Sequence, residues 1–291
     1  MGTHPTLPSK DLTTQRTLAD LLQDNQALMS TEVSKRFGQQ LPFLFKVLSI
    51  EKPLSIQAHP DKELAEKLHA KDPDHYADDN HKPEMALAIT HFEGLCGFRP
   101  LAETSHFLKH LPPFRKAVGE AAASAFEKAV DGRETSDSDK DTETNKKVLK
   151  DAFASLLKQE KSIRQEAVHE LVKLAKEQGE QFAGSGGPSN KGEELAELVV
   201  RINEQFPADI GLLVMFFLNY VTMEPGEAMY LRADDIHAYI SGGKCHLVVN
   251  IGMLTVADHR QTSSNAWLHR TTSSERASAP SSKILRFSSR C

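Results

Sequence analysis

The 291-residue chain is predicted to be an α+β protein in which a block of helices interrupts a sheet. Short apolar, β-branched segments of strand length occur in residues 41–89 and again after Ile210. Between these regions, apolar residues recur three and four positions apart, which is the spacing of amphipathic helices. Strand segments that flank a run of helices are typical of the α+β class.

The first region contains several predicted elements in close succession. LPFLFKVLSI, residues 41–50, predicts a strand, and we expect its single charged residue, Lys46, to point into a polar cavity. LSIQA, residues 54–58, predicts a second strand. Pro60 comes next and is followed by acidic residues, so Pro60 is predicted to be the first residue of a helix. EMALAI, residues 84–89, is apolar, and its pattern leaves open a strand or a buried helix.

The helical block after Pro100 consists of FEKAV, NKKVLKDAFASLLKQE, RQEAVHELVKLAKEQ and EELAELVVRINEQF. Two linkers, the charged DGRETSDSDKDTET and the flexible GSGGPSNKG, separate these helices. Beyond the block, IGLLVMFFLNYVTM is apolar again, a turn is predicted at Pro225-Gly226, and AYI predicts a strand after His237. The helices could form an inserted subdomain or a separate partner-binding module.

The chain is therefore divided into four parts. Residues 1–100 begin the sheet domain, residues 101–208 form the helical insertion, and residues 209–243 complete the sheet domain. In residues 244–291, Lys and Arg outnumber Asp and Glu, and serine is frequent. We expect this last part to be a divergent, disordered tail.

Composition limits the function classes. The formal net charge is −5, which favours neither nucleic acid nor an acidic membrane surface as a partner. The longest apolar run is shorter than the ~20 residues of a membrane span. The three cysteines, Cys96, Cys245 and Cys291, are odd in number and widely spaced, so no disulfide framework is expected. We therefore predict a reducing, cytoplasmic location.

Two polar pairs lie in the first region. Gln57 and His59 are two residues apart, and so are Lys82 and Glu84. Residues i and i+2 share one face of a strand, so each pair would project together. Imidazole, carboxylate and amide oxygen are suitable ligands for a divalent metal such as zinc, and a histidine from a distant strand could complete the set. The alternative on spacing alone is an ordinary solvated strand face.

Four segments carry a resemblance to a known family. LPFLFKVLSIEKPLSIQAHPDKELAEKLH, DDNHKPEMALAIT, FEGLCGFRP and PGEAMYLRADDIHAYISG resemble the type I mannose-6-phosphate isomerases. The resemblance implies a cupin-type antiparallel β jelly roll with an inserted all-helical subdomain. Residues 1–100 and 209–243 would then be the two parts of a zinc-binding cupin domain.

The resemblance also implies a function and a site. Members of the family interconvert mannose 6-phosphate and fructose 6-phosphate, a step in carbohydrate metabolism and GDP-mannose biosynthesis, and bind one zinc per chain. The family's metal ligands match Gln57, His59, Glu84 and His237. The active-site lysine matches Lys82, which would bind substrate and act in catalysis. We expect Lys46 to act in catalysis from a neighbouring strand and Ser55 to bind substrate at its phosphate.

The resemblance stops at Gly242. In the family, the segment continues through motifs that supply an active-site arginine, and a second jelly roll follows. Neither is recognised here, and we expect a chain truncated at both ends with little or no isomerase activity. A small-molecule sugar phosphate is the expected partner, and the chain is expected to be a monomer that binds no nucleic acid or membrane. The alternative is a non-catalytic cupin fragment that binds zinc or a sugar phosphate, or a helical interaction module.

Overall fold

A computed structural model describes residues 2–3, 8–39, 41–76, 79, 81–131, 139–250 and 283–286. It describes residues 139–142, 244–250 and 283–286 by their backbone. The elements in chain order are α1 (Leu18–Asp24), α2 (Thr31–Phe37), β1 (Leu44–Ile50), α3 (Lys62–Lys71), β2 (Glu84–Ala88), β3 (Phe92–Phe98), α4 (Leu101–His110), α5 (Pro112–Val118), α6 (Glu120–Val130), α7 (Asp139–Lys158), α8 (Lys161–Gln178), α9 (Phe182–Ser185), α10 (Gly192–Gln205), α11 (Gly211–Val214), β4 (Leu218–Met223), β5 (Glu227–Leu231), β6 (His237–Asn250) and β7 (Lys283–Arg286).

The strands of the described residues form one seven-stranded antiparallel sheet in the order β4-β3-β6-β2-β5-β7, and β1 also pairs with β6. The long strand β6 organises this sheet. Its first part pairs with β3, and its second part lies between β1 and β2. The predicted α+β class is confirmed, because the helices α4 to α11 all follow β3 and precede β4 in the sequence, as one insertion between two strands of the sheet.

The helical insertion leaves and re-enters the sheet at neighbouring positions. Phe98, the last residue of β3, pairs in register with Leu218, the first residue of β4. The turn from β4 to β5 is the predicted one, and Gly226 adopts a φ of +88° there, a conformation that glycine tolerates without steric cost.

Two buried clusters lie on opposite faces of the sheet. The larger cluster joins the helical insertion to one face and includes Leu95, Ala238 and Ile240. The smaller cluster lies on the other face and consists of Ile50, Ala86, Ala88, Phe92, Cys96, Val221, Met223, Met229, Leu231 and Tyr239. Successive residues of β3 and β6 therefore serve different cores, as strand alternation requires.

The four predicted helices of the insertion are confirmed as α6, α7, α8 and α10. Four further helices between β3 and β4 were not predicted: α4, α5 and the four-residue helices α9 and α11. Helix α4 buries the polar residues Glu103, Thr104 and Ser105, so its apolar period is broken. Helix α5 begins with Pro112 and Pro113, which are favourable in a first turn but weaken the sequence pattern of a helix.

The predicted strand over residues 54–58 is wrong. The segment is extended and forms a single bridge, between Gln57 and His237. Prolines at 53 and 60 lack the N–H groups that a longer ladder needs. Helix α3 also begins later than predicted, because Asp61 is its N-cap and accepts a hydrogen bond from the Leu64 N–H. EMALAI is a strand, β2.

The predicted disordered tail differs from the structure in two segments. Strand β6 continues past Gly243 to Asn250, and residues 283–286 form β7, which pairs with β5. The apolar, β-branched letters HLVVN at residues 246–250 suit a strand, although the average composition of the whole tail hid this pattern. Residues 251–282 and 287–291 lie outside the described part of the chain. Among the described helices, none has the length and apolarity needed to cross a bilayer.

Candidate metal centre

Three segments bring two imidazoles and a carboxylate together. His59 lies in the extended segment before α3, Glu84 begins β2 and His237 begins β6. The His59 Nε2 atom lies 3.2 Å from Glu84 Oε1, and His237 Nε2 lies 3.5 Å from Glu84 Oε2. The three ligand atoms all lie within 4.8 Å of one another. We call these three residues the metal group.

The metal group suits a divalent cation. Glu84 and His237 are buried, with 6% and 3% of their surfaces exposed. His59 Nε2 is also buried, and among the described residues it has no hydrogen-bond partner. Buried polar atoms are normally satisfied. Two nitrogens and an oxygen that converge in this way are able to bind one metal ion.

Neighbouring groups orient the His237 ring. Its Nδ1 atom lies 2.8 Å from the carbonyl oxygen of Asp235, and only a protonated nitrogen can donate to a carbonyl. The lone pair is then on Nε2, which faces Glu84. This arrangement, with a backbone carbonyl behind a metal-binding histidine, is common in metal sites. The carboxylate of Asp235 is itself held by two contacts with the Arg232 guanidinium, at 3.0 and 2.9 Å.

Tyr239 holds the carboxylate of Glu84. Its hydroxyl donates to Glu84 Oε2 at 2.8 Å, and its ring is buried against Phe92. Burial and the charge of Glu84 raise the pKa of Tyr239, so the phenol remains a donor at neutral pH. Burial by itself raises the pKa of Glu84. The adjacent imidazoles of His237 and His59 and the hydroxyl of Tyr239 favour the ionised carboxylate, and together they outweigh this effect and hold the pKa of Glu84 well below its usual range.

Gln57 lies next to the metal group through its backbone. Its N–H and C=O exchange two hydrogen bonds of 2.8 Å with His237. The side-chain Nε2 donates to Ser55 Oγ at 3.0 Å, so the amide oxygen is the atom that Gln57 can offer to a cation. Ser55 is thus placed as a partner of Gln57, and both side chains are exposed.

The two predicted lysines are placed by the strands. Lys46 pairs with Val248 of β6, and Ala86 pairs with Val248 from the other side, so Lys46 lies on the face of the sheet that carries Glu84. Lys82 is half-buried and lies two residues before Glu84, at the entrance to β2. Lys46 is exposed, so its place in a polar cavity stays a prediction, as does the shared face of Lys82 and Glu84.

Tyr239 and Asp235 were missed by sequence reasoning. Tyr239 could have been found, because it lies two positions after His237 and alternation puts both on one face. Asp235 acts through its backbone carbonyl, which no side-chain pattern reveals.

Comparison with known proteins identifies the family. The family model described as the catalytic domain of type I phosphomannose isomerase matches residues 1–101, and that of the helical insertion domain matches residues 117–218. The mannose-6-phosphate isomerase of Aspergillus fumigatus is 61% identical over 83% of this chain and 54% of its own length. The chain belongs to the type I phosphomannose isomerase family.

Other members of the type I phosphomannose isomerase family agree. The mannose-6-phosphate isomerase of Homo sapiens is 44% identical over 83% of this chain and 55% of its own length. A crystal structure of a zinc-bound mannose 6-phosphate isomerase matches with a TM-score of 0.65 and 32% identity, over 86% of this chain and 59% of that one. This similarity confirms the predicted cupin-type fold. The chain spans about half the length of the curated relatives it matches.

Proposed function

We propose that this chain is a zinc-dependent aldose–ketose isomerase that interconverts mannose 6-phosphate and fructose 6-phosphate. The observation that carries the proposal is the convergence of His59, Glu84 and His237 within 4.8 Å, in a chain that belongs to the type I phosphomannose isomerases. The reaction is inferred from the family, and its site is inferred from the position of the metal group.

The proposed zinc ligands are Gln57, His59, Glu84 and His237. The last three already point their ligand atoms at one another, and Gln57 is hydrogen-bonded through its backbone to His237. Such a mixed set of imidazole nitrogens and oxygens suits zinc. When bound, the zinc would act as a Lewis acid that polarises substrate oxygens and fixes their orientation.

The reaction moves a proton from C2 to C1 of the sugar through an enediol, and negative charge develops on the substrate oxygens on the way. Lys82 and Lys46 are proposed to stabilise this charge, because Lys46 lies on the face of the sheet that carries Glu84 and Lys82 lies two residues before Glu84 in sequence. Ser55 is proposed to donate a hydrogen bond to the phosphate. Tyr239 keeps the Glu84 carboxylate in one orientation while substrate binds.

The family's reaction connects central sugar phosphates with mannose metabolism, which leads to GDP-mannose, and we propose a cytoplasmic monomer that meets only small sugar phosphates. The second candidate function is a non-catalytic protein that binds zinc or a sugar phosphate. It is favoured by the segment after Gly243, in which the family's active-site arginine motif is not recognised.

One experiment separates the two functions. The chain is purified with zinc, its zinc content is measured, and conversion of mannose 6-phosphate is followed with coupled enzymes that reduce a nicotinamide. We expect one zinc per chain and a turnover at least about 10²-fold below that of the Aspergillus fumigatus relative, since one missing charge-stabilising donor costs about that much. Zinc binding with no turnover above a Glu84→Ala control supports the binding protein. A chain that binds neither zinc nor mannose 6-phosphate contradicts both.

A further inference from the structure

Four side chains from four elements meet on the face of the sheet that packs against the helical insertion. Glu93 of β3 accepts hydrogen bonds from Tyr220 of β4, Ser241 of β6 and Arg201 of α10. The Arg201 Nη2 atom lies 2.7 Å from Glu93 Oε1; Tyr220 donates to the same oxygen, and Ser241 donates to Oε2. We call these residues the Glu93 cluster.

The Glu93 carboxylate is buried and fully engaged. Only 7% of the residue's surface is exposed. Burial raises the pKa of Glu93, but the hydrogen bonds from Arg201, Ser241 and Tyr220 outweigh it and hold the pKa below its usual range. A buried carboxylate that keeps its charge at the centre of three donors rigidly connects the elements that supply them.

The Glu93 cluster lies at an irregularity in the sheet. From Glu84 opposite Asn250 to Glu93 opposite Ser241, β6 follows one register with β2 and β3. The register then shifts by one residue, because Gly94 lies opposite Tyr239. Ile240 is the extra residue on β6, which is the arrangement of a β-bulge.

This bulge decides which way His237 faces. Side chains alternate along a strand, and Asn250 shares a face with its partner Glu84. His237 is an odd number of positions from Asn250, so in an unbroken strand it would face away from Glu84. The extra residue at Ile240 reverses the alternation. As a result, His237 and Tyr239 face Glu84, while Ile240 belongs to the core beneath the helices.

We propose that Glu93 is a positioning residue for the metal site: the Glu93 cluster holds the bulge at Ile240 and thereby keeps His237 directed at Glu84. The inference rests on the zinc site proposed above and adds a role for the insertion. Through Arg201, helix α10 contributes directly to the geometry of a strand whose first residue is a metal ligand.

The test compares three variants of the full chain. Glu93→Gln keeps the shape of the side chain but removes its charge, and Ser241→Ala removes the one donor that lies on β6. Glu127→Gln is the matched control, because Glu127 accepts from the Arg115 guanidinium at 2.7 Å inside the helical insertion. Zinc affinity is measured by competition with a chelating dye, and Co²⁺ substitution reports the ligand geometry by its visible spectrum.

We expect Glu93→Gln to bind zinc about tenfold more weakly, since groups that orient metal ligands contribute about 10–100-fold to affinity. We expect Ser241→Ala to lose less, about threefold, and the Co²⁺ spectrum to change in both variants. Glu127→Gln should match the wild type. Wild-type zinc affinity in both Glu93→Gln and Ser241→Ala, or an equal loss in Glu127→Gln, would overturn the proposal.

A second measurement needs no metal. The His237 N–H donates to Gln57 O at 2.8 Å, and its hydrogen exchange reports how firmly this end of β6 is held. In the metal-free protein, Glu93→Gln or Ser241→Ala should speed this exchange about tenfold, and Glu127→Gln should not. If the wild type binds no zinc, the proposed function fails alone. Unchanged exchange in both cluster variants refutes the role of Glu93.

Discussion

The two faces of the sheet bury different kinds of side chain. The face beneath the helices is covered by a large cluster rich in fully buried aromatic rings, among them Phe107, Phe114, Phe216 and Phe217. The opposite face has a small cluster, and the charged Glu84 and the polar His237 are buried on that same face. The same strands, β3 and β6, contribute alternate residues to both.

The difference indicates that the helix-covered face mainly stabilises the fold, whereas the opposite face carries the candidate metal site. Burying an apolar ring lowers the free energy of the folded state, whereas burying a carboxylate beside two imidazoles raises it unless a cation or a donor compensates. We infer that the insertion supplies much of the stability that lets the other face hold polar groups.

The largest effect is expected beneath the helices. Phe216 is fully buried and packs against Phe107, Phe114 and Phe182. Phe216→Ala should lower the free energy of unfolding by about 3–5 kcal/mol, because it leaves a cavity among rigid neighbours. Urea denaturation measures this loss, and the fraction that remains folded should keep its zinc affinity. The control is Phe206→Ala, since Phe206 is 40% exposed. Equal losses of stability in the two variants would contradict the cavity argument, and a weaker zinc affinity of folded Phe216→Ala would contradict the separation of stability and metal binding between the two faces.

The next effect is expected at the metal group. His237→Ala should weaken zinc binding by about 10²–10³-fold, since it removes one of four ligands that share a total of roughly 10–16 kcal/mol. Zinc retained after dialysis against a chelator measures it. His75→Ala is the control, because His75 is an exposed loop histidine paired with Asp72. Equal zinc retention in the two variants would rule out His237 as a ligand.

A smaller effect is expected at Tyr239, which contacts the proposed ligand Glu84 but is not itself a proposed ligand. Tyr239→Phe removes the hydroxyl that donates to Glu84, and we expect zinc affinity to fall about tenfold, or ~1.4 kcal/mol. Competition with a chelating dye measures it. Tyr230→Phe serves as the control, since Tyr230 is 40% exposed. An unchanged affinity in Tyr239→Phe would mean that Glu84 keeps its orientation without the tyrosine.

The smallest effect is expected in the pH dependence of stability, through Glu93. The folded-state pKa of Glu93 lies below its ordinary value of 4.5, so the ionised form stabilises the fold above that pH. This contribution is lost as the pH falls from 4.5 towards the lowered pKa. Glu93→Gln has no such contribution to lose, and its unfolding free energy should decline less between pH 5 and pH 3. Chemical denaturation at several pH values measures the slopes, and parallel declines would contradict the ionised state of Glu93.

The sequence predicted the elements better than it predicted how they fit together. The four predicted helices of the insertion and the strand around Lys46 were recognised from local periodicity and apolar runs, whereas the pattern around Met85 left a strand and a buried helix equally open. Gln57, His59, Glu84 and His237 were reached through a resemblance to known motifs. The structure brings three of them into one group and Gln57 beside it.

What the sequence could not predict depends on contacts between distant segments. The bulge at Ile240 cannot be recognised in the sequence HAYISGG, because it is defined by the register of β6 against β3. Helix α4 is hidden because Glu103 is buried with the Arg99 guanidinium as its partner, 3.0 Å away, instead of facing water. Local patterns assume that polar residues are exposed and that strands alternate without interruption; α4 breaks the first assumption and the bulge breaks the second.

The paired positions of Phe98 and Leu218 have a consequence for chain connectivity. Residues opposite one another in an antiparallel pair have Cα atoms about 5 Å apart, so the insertion is a closed excursion whose two ends nearly touch. The entropy of closing such a loop grows slowly, by about 0.6 kcal/mol for each doubling of its length. The connection between β3 and β4 can therefore change greatly in length at little entropic expense. A segment with adjacent ends is also suited to being moved, as a unit, onto another hairpin.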